Sequence, residues 1–310
     1  MAQAAHPAGG STLVGRPGRR RSEALVKAVL IGASALSIAI SVGIVLSLLA
    51  ESVLFLSQID LSQLVAPGWF PRRGMYDLAT LFAGTLLVTI IAMGLAGPVG
   101  LLAAIWLSEY ASLRSRNRIK PVIEILAGVP SVVLGFFALT WISPNMVKTI
   151  FPGANNFNIL AAGLGVGILT IPLVASVSED AMRAVPRSLR EASYGLGARR
   201  TTTVIRVVLP AAVSGVVAAL ILAVSRAVGE TMVVAVAAGA TGGSLLTVNP
   251  LGPGQTLTAA MASLATGSDQ VTGDSAAFLS LFFLGLLLFL VTLVLNVVGD
   301  AFVRRTRQRY

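Results

Sequence analysis

Six long apolar runs constrain the fold of this 310-residue chain more than any other feature. Each run approaches or exceeds the roughly 20 apolar residues that a helix needs to cross a bilayer. The composition agrees, with 55% hydrophobic residues, 12% charged residues and a mean hydropathy of +0.85. We therefore predict an all-α integral membrane protein with six transmembrane helices. The predicted spans are about 26–50, 78–107, 121–143, 158–180, 209–238 and 276–302.

The basic residues lie mainly in alternate gaps between these runs. Of the 23 Lys and Arg residues, 19 fall in the segments 16–27, 114–120, 183–206 and 304–309. Such alternation is the positive-inside pattern, which sets the orientation of membrane proteins. It predicts cytoplasmic N- and C-termini, and it accounts for the net charge of +10 without a nucleic-acid partner.

Charge and composition also predict the domain organisation. Residues 1–22 are rich in Gly and Pro and read as a disordered basic cytoplasmic tail. A membrane domain over 23–303 follows, and 304–310 form a second basic tail. A cleaved signal peptide is the alternative for the first run, but the charge-free stretch 28–50 is too long for one. The uncharged segment 231–268 contains several Gly and Pro residues, so we predict an outer loop there with a short helix near 256–264.

Cysteine and histidine usage excludes several kinds of chemistry. The chain has no cysteine, so it has neither disulfides nor thiolate metal sites. Its one histidine, His6, lies in the N-terminal tail. No G-x-x-x-x-G-K-[ST] loop occurs, so ATP would have to be bound by another chain. We expect no metal, no cofactor and no enzymatic activity in this chain.

The longest polar interval, 183–210, cannot cross a bilayer and carries the most specific pattern. A helix-prone piece from Arg187 to Leu196 stops at Gly197, and Leu209-Pro210 lead into the next apolar run. A short helix exposed between two spans is suited to docking a soluble partner.

This segment resembles the EAA loop of ABC importer permeases. Glu191, Ala192 and Ser193 stand where the family has Glu-Ala-Ala, Gly197 stands at its glycine, and Leu209-Pro210 stand at its Leu-Pro. Ser193 in place of Ala, and Val207 in place of Ile, are departures from the pattern. The resemblance implies that the loop 183–210, including Arg190, couples the permease to a cytoplasmic ATPase.

Arg226 and Glu230 are the strongest candidates for a substrate pathway. An arginine within an apolar run costs about 2.5–3.5 kcal/mol to insert into a membrane, so it must face a partner, water or a ligand. Spacing of i,i+4 places both residues on one helix face. They form either an internal salt bridge, or a site in which Arg226 binds a transported oxyanion and Glu230 partly neutralises the charge of Arg226.

Glu124 is a third candidate pathway residue, followed closely by Pro130, which frees a backbone carbonyl. Alternatively, its carboxylate lies at a helix N-terminus, where the helix dipole favours a negative charge.

Further segments resemble one branch of these permeases. These are 108–111, 120–133 and the run Arg226 to Met232. They look like the phosphate ABC importer permease of the PstC type, over about residues 24–303. The resemblance implies a type I ABC importer permease fold, inorganic phosphate as substrate and a bacterial cytoplasmic (inner) membrane location. It also implies three partners: a PstA-type sister permease, an ABC ATPase dimer and an extracytoplasmic phosphate-binding protein.

Two other functions fit parts of the pattern. A permease for sulfate or another oxyanion would have the same composition. An ion-coupled secondary carrier would use Arg226, Glu230 and Glu124 as relay residues. Such a carrier would have no use for a docking loop, and the chain shows no convincing internal repeat.

Overall fold

The structure is a computed structural model that describes residues 17–239, 243–267 and 276–306. It divides into two units, Met1–Ser47 and Leu48–Tyr310, and the first helix, α1 (Pro17–Gln58), runs through the boundary. The tail was expected to extend to residue 22, but the helix already begins at Pro17. Residues 1–16 of that tail lie outside the described residues. At the other end of the chain the last helix continues to Thr306, past the expected limit of 303.

In its described residues, the second unit is built from helices and one small hairpin. After a 3-10 turn (Leu61–Val65), strands β1 (Trp69–Phe70) and β2 (Met75–Tyr76) pair antiparallel around a second 3-10 turn (Pro71–Arg73). The helices that follow are α2 (Leu78–Ile105), α3 (Leu113–Ala127), α4 (Ser131–Phe137), α5 (Lys148–Ile150), α6 (Ile159–Arg183), α7 (Arg187–Gly195), α8 (Arg200–Thr203), α9 (Leu209–Val228), α10 (Met232–Val234), α11 (Leu257–Ala265) and α12 (Ala276–Thr306). Four π-helical segments adjoin them, at Trp106–Tyr110, Ala138–Val147, Val204–Val208 and Ala235–Gly239.

Six helical stretches of the described chain are long and apolar enough to cross a membrane, which confirms the predicted number. They cover Glu23–Gln58, Leu78–Tyr110, Ser131–Ile150, Ile159–Arg183, Arg200–Val228 and Ala276–Arg305. The short helix predicted near 256–264 is also present as α11, and the Thr256 side chain caps its N-terminus by accepting from the Ala259 amide at 3.2 Å.

The third apolar helix begins later than the sequence indicated. It was expected at 121–143, whereas the structure has the separate helix α3 up to Ala127 and a new helix from Ser131. Pro130 explains the break, because proline disfavours helical geometry in the residue before it and has no N–H to donate. The helix then continues through the π-helical segment and α5 to Ile150.

The fifth apolar helix differs from its expected range of 209–238 at both ends. It begins at Arg200, and Pro210 therefore lies inside it rather than at its start. The π-helical turn Val204–Val208 immediately precedes α9, where it accommodates the proline ring and its missing donor. At the other end α9 stops at Val228, and a new turn starts only at Met232.

Glycines allow α2 and α6 to pack closely along their lengths. A Cβ at Gly163 would lie 2.6 Å from the Ile91 side chain, and one at Gly100 would lie 2.6 Å from Val174 Cβ. Such contacts are closer than any side chain permits. Small residues let helix backbones approach in this way within lipid. Helix α6 is thus the most buried of the apolar helices in the described chain.

A second core holds the hairpin against the helix ends. Trp69 and Phe55 are fully buried beside Tyr76, with the ring centroids of Phe55 and Tyr76 5.0 Å apart at 89°. Edge-to-face contacts of this kind add to the stabilisation from apolar burial. Leu257 of α11 and Leu284 of α12 belong to the same cluster.

Candidate functional site

Helix α7 is the short helix that the sequence predicted between the fourth and fifth spans. It covers Arg187–Gly195, and Gly197 follows with φ +78°, in the left-handed region that favours glycine. The Gly197 amide donates to the Tyr194 carbonyl at 2.9 Å, and the Ala198 amide donates to the Ser193 carbonyl at 3.1 Å. These bonds satisfy carbonyls that the end of a helix leaves open. The glycine therefore fixes where α7 ends.

We expect Gly197→Ala to loosen the end of α7. A left-handed conformation costs a non-glycine residue about 1–2 kcal/mol, which corresponds to roughly a 5–30-fold rise in the population of locally opened states. Hydrogen exchange of the α7 amides measures this rise. The matched control is Gly195→Ala, since a Cβ there meets no atom within 4 Å and its φ is not positive. Equal exchange in both variants would contradict the assignment.

Arg190 joins α7 to the ends of both α2 and α6. Its Nη2 donates to Glu109 Oε1 at 2.9 Å and to the Met182 carbonyl at 2.8 Å, and its Nη1 donates to the Val185 carbonyl at 2.7 Å. Glu109 is buried and also accepts from the Ser108 hydroxyl at 2.9 Å. An arginine fork with a carboxylate and two carbonyls has fixed geometry as well as charge. This one side chain therefore connects α7 to the ends of both α2 and α6.

A second carboxylate, Glu179, attaches α3 to the same end of α6. Its side chain is fully buried, with Arg116 Nε 2.8 Å from Oε1 and Lys120 Nζ 2.6 Å from Oε2. Lys120 also contacts the exposed carboxylate of Asp180 at 2.7 Å. The hydrogen bond to Glu179 raises the pKa of Arg116 above its ordinary value. Burial lowers the pKa of Lys120, but its hydrogen bonds to Asp180 and Glu179 outweigh this and leave that pKa raised. Both cations therefore stay charged around the buried carboxylate.

The remaining predicted residues of the α7 loop divide into two groups. Glu191 and Ala192 are exposed, as a docking surface requires. Glu191 forms no ion pair with any described residue. Ser193 instead points inward, where its hydroxyl lies 2.8 Å from that of Thr203. Leu209 packs against the buried cluster of Ala104, Met182, Val185, Val208, Ala212 and Val216. The loop thus presents one polar face and holds the other against the helix bundle.

The prediction that Arg226 and Glu230 share a helix face is wrong. Helix α9 ends at Val228, so the i,i+4 relation does not hold, and the described residues show no ion pair between them. Arg226 is exposed in the last turn of α9. Glu230 is buried in the break, where its carboxylate lies 3.5 Å from the Val233 amide and its carbonyl accepts from the Thr258 hydroxyl at 2.8 Å. The internal salt bridge is therefore not formed in this structure.

Glu124 lies apart from these two residues. It is exposed on α3, away from the N-terminus of that helix, and the Ser176 hydroxyl donates to it at a long 3.4 Å. Neither Arg226 nor Glu230 contacts it within the described residues.

Sequence reasoning missed Glu109 and Glu179, the two carboxylates that hold this end of the bundle together. A signal was present, because each lies at the basic end of an apolar run, where a buried charge needs a cation. The partners could not be named, because Glu109 and Arg190 are 81 positions apart and Arg116 and Glu179 are 63 positions apart.

Comparison with known proteins identifies the family of this chain. The model of the family of binding-protein-dependent transport system inner membrane components matches residues 96–308. The chain belongs to this family. The matched range begins within α2 and includes α7, Arg226 and Glu230.

Several relatives are similar over much of the chain. The probable ABC transporter permease protein YqgH of Bacillus subtilis (strain 168) is 35% identical over 63% of this chain and 63% of its own length. The phosphate transport system permease protein PstC 1 of Mycobacterium tuberculosis (strain ATCC 25618 / H37Rv) is 32% identical, over 76% of this chain and 74% of its own. The phosphate transport system permease protein PstC of Mesorhizobium japonicum is 29% identical, over 93% of this chain and 92% of its own length.

Solved structures agree on the fold. A chain of a bacterial alginate ABC transporter, in complex with a periplasmic protein carrying an alginate pentasaccharide, matches with a TM-score of 0.65 and 14% identity, over 93% of this chain and 96% of that one. A chain of the inward-facing methionine transporter MetNI matches with a TM-score of 0.53 and 21% identity, over 74% of this chain and 94% of that one. The fold is that of a type I ABC importer permease, a multi-pass membrane protein.

Proposed function

We propose that this chain is a permease subunit of an ATP-driven ABC importer that carries inorganic phosphate across the bacterial cytoplasmic membrane. The observation that carries the proposal is the similarity, at 29–32% identity over most of the chain, to relatives named as PstC phosphate permeases. By the same similarity, its partners are a PstA-type sister permease, an ABC ATPase dimer and an extracytoplasmic phosphate-binding protein. ATP and Mg²⁺ are bound by the ATPase.

Helix α7 is the contact to the ATPase in this proposal. Exposed Glu191 and Ala192 would lie against the ATPase, and Arg190 would pass its displacement to α2 and α6. The positive-inside pattern supports this placement, because it puts the basic loop around α7 in the cytoplasm.

Arg226 is the substrate-contacting residue in this proposal. Its guanidinium is exposed on an otherwise apolar helix and donates to no acceptor among the described residues. A charge in that position requires water, a partner or a ligand, and the planar guanidinium suits the oxygens of phosphate. Buried Glu230 follows four residues later, in the break after α9, where its carboxylate lowers the net positive charge of the pathway.

The test is ATP-driven uptake into proteoliposomes that contain this chain with its three partners. We expect labelled phosphate to accumulate with ATP and to stop when the ATPase is inactivated. Sulfate in excess should compete weakly. Strong competition by sulfate would point to a different oxyanion, and uptake that persists with an inactive ATPase would point to an ion-coupled carrier.

For the pathway, we expect Arg226→Gln to reduce phosphate uptake at least about ten-fold, since a hydrogen bond to a charged group contributes about 1.5–3 kcal/mol. Assembly with the partners should be unchanged, because the side chain has no described contact to lose. Arg305→Gln, an exposed arginine in the last turn of α12, is the matched control and should keep its uptake. Normal uptake by Arg226→Gln at normal expression would remove Arg226 from the pathway.

A further inference from the structure

A cavity beside α7 is lined by more positive charge than the described contacts neutralise. It has a volume of about 330 Å³ and is bordered by the ends of α2 and α6, the start of α3, α7 and the start of α8. Five arginines line it, against one carboxylate, that of Glu109. We call this cavity the arginine basin; its arginines are Arg116, Arg183, Arg187, Arg190 and Arg200.

Only part of this charge is used by the protein itself. Glu109 is engaged by Arg190, and Arg116 uses its Nε on Glu179. Arg183 lies 3.7 Å from Glu179, a long ion pair. Arg187 has no hydrogen bond or ion pair with any described residue, and Arg200 stacks on the Tyr110 ring at 4.9 Å without a hydrogen bond. Several guanidinium N–H groups therefore remain available, since each arginine carries five.

Unneutralised arginines around one cavity repel one another, because like charges interact unfavourably and the protein screens them less than bulk water does. A bound anion removes that repulsion and accepts the open donors. Arginine is the side chain best matched to phosphate, which it can bind through two parallel hydrogen bonds. The volume suits a tetrahedral oxyanion with several waters, given about 30 Å³ for each water.

We propose that the arginine basin is a binding site for a phosphate group, separate from the transport pathway. Arg200, at its edge, and Arg226 are 26 residues apart on one helix, which is about 39 Å along the axis. The phosphate group comes either from free inorganic phosphate or from the headgroup of an anionic lipid. Once bound, it links α7 to α3 and α8, and so restrains the helix whose movement the Arg190 contacts transmit.

The experiment measures binding in the full chain held in lipid nanodiscs. All variants carry Arg226→Gln, so that the proposed pathway does not contribute. Inorganic phosphate is titrated calorimetrically into nanodiscs of zwitterionic lipid. The basin variant is Arg187→Gln with Arg200→Gln. The matched control is Arg199→Gln with Arg206→Gln, two exposed arginines that do not line the basin and that remove the same net charge.

We expect saturable phosphate binding that weakens at least about ten-fold in the basin variant and less than two-fold in the control, given the strength of hydrogen bonds to charged groups. Nanodiscs with phosphatidylglycerol separate the two sources. If the lipid headgroup fills the basin, this lipid is retained by the parent chain in mass spectrometry, is lost from the basin variant and competes with free phosphate.

Three results would overturn the proposal. One is equal binding by the basin and control variants. Another is the absence of both phosphate binding and retained anionic lipid. The third is phosphate binding to the isolated chain that disappears in the assembled importer, which would show that acidic side chains of a partner occupy the basin. This experiment measures binding without transport. A failure of the uptake experiment would therefore not affect the binding result, and a failure to bind phosphate at the arginine basin would not affect the uptake result.

Discussion

Glu109→Gln is expected to reduce ATP-driven uptake at least about ten-fold while the partner ATPase keeps its own hydrolysis. The substitution removes the carboxylate that neutralises Arg190 but leaves the guanidinium bound to the Met182 and Val185 carbonyls. Breaking a buried ion pair by removing one partner costs about 3–5 kcal/mol. The ion pair that is lost is the contact between α7 and the end of α2. Without it, we expect that a displacement of α7 no longer moves α2.

The measurement compares uptake with ATP hydrolysis in the reconstituted importer. Asp300→Asn is the control, because Asp300 is an exposed carboxylate 3.9 Å from Arg304, and surface pairs of this kind contribute little. The double variant Glu109→Gln, Arg190→Gln should lose less uptake than the two single effects added together, since each single variant already removes the contact that the two residues share. Normal uptake by Glu109→Gln in a normally assembled complex would contradict a role for this pair in transmission.

The second large effect is expected on stability. Glu179→Gln should destabilise the chain by about 3 kcal/mol, because the buried carboxylate holds both Arg116 and Lys120. The adjacent Asp180→Asn is an unusually close control. Asp180 shares the Lys120 contact, but its side chain is 63% exposed where that of Glu179 is 0% exposed. Loss of the Asp180 carboxylate should lower the free energy of unfolding by no more than about 1 kcal/mol.

Thermal unfolding of the full chain in detergent distinguishes the two variants. We expect a clearly lower midpoint for Glu179→Gln and a small change for Asp180→Asn. Equal shifts would mean that burial does not set the strength of these ion pairs, and that α3 is held to α6 by other contacts.

The number of membrane helices and the position of α7 could be predicted because both depend on local sequence. Long charge-free runs specify the spans, and Gly197 specifies the end of α7. Pro130 signals the break before α4, but the apolar residues on both sides of it favour one continuous span over 121–143, and the structure does not form that span. Pro210 does not break its helix, because the π-helical turn Val204–Val208 before it accommodates the proline ring. The helix begins at Arg200, ten residues before Pro210.

The site was less predictable, since it depends on residues distant in sequence. Arg190 was assigned to the coupling loop from its position alone, and its carboxylate partner Glu109 could not be found without the fold. The pairing of Arg226 with Glu230 assumed an unbroken helix, whereas the chain turns at Gly229. A glycine at that place was the signal available in the sequence.

The close approach of α2 and α6 at Gly100 and Gly163 has a mechanical consequence. Two helices packed this closely cannot slide past each other without steric overlap, so we expect them to move as a rigid pair. Because Arg190 contacts both of them at the same end, we expect a displacement of α7 to move this pair as a unit. The hinge for such a movement would then lie in a less tightly packed part of the chain, such as the turn at Gly229.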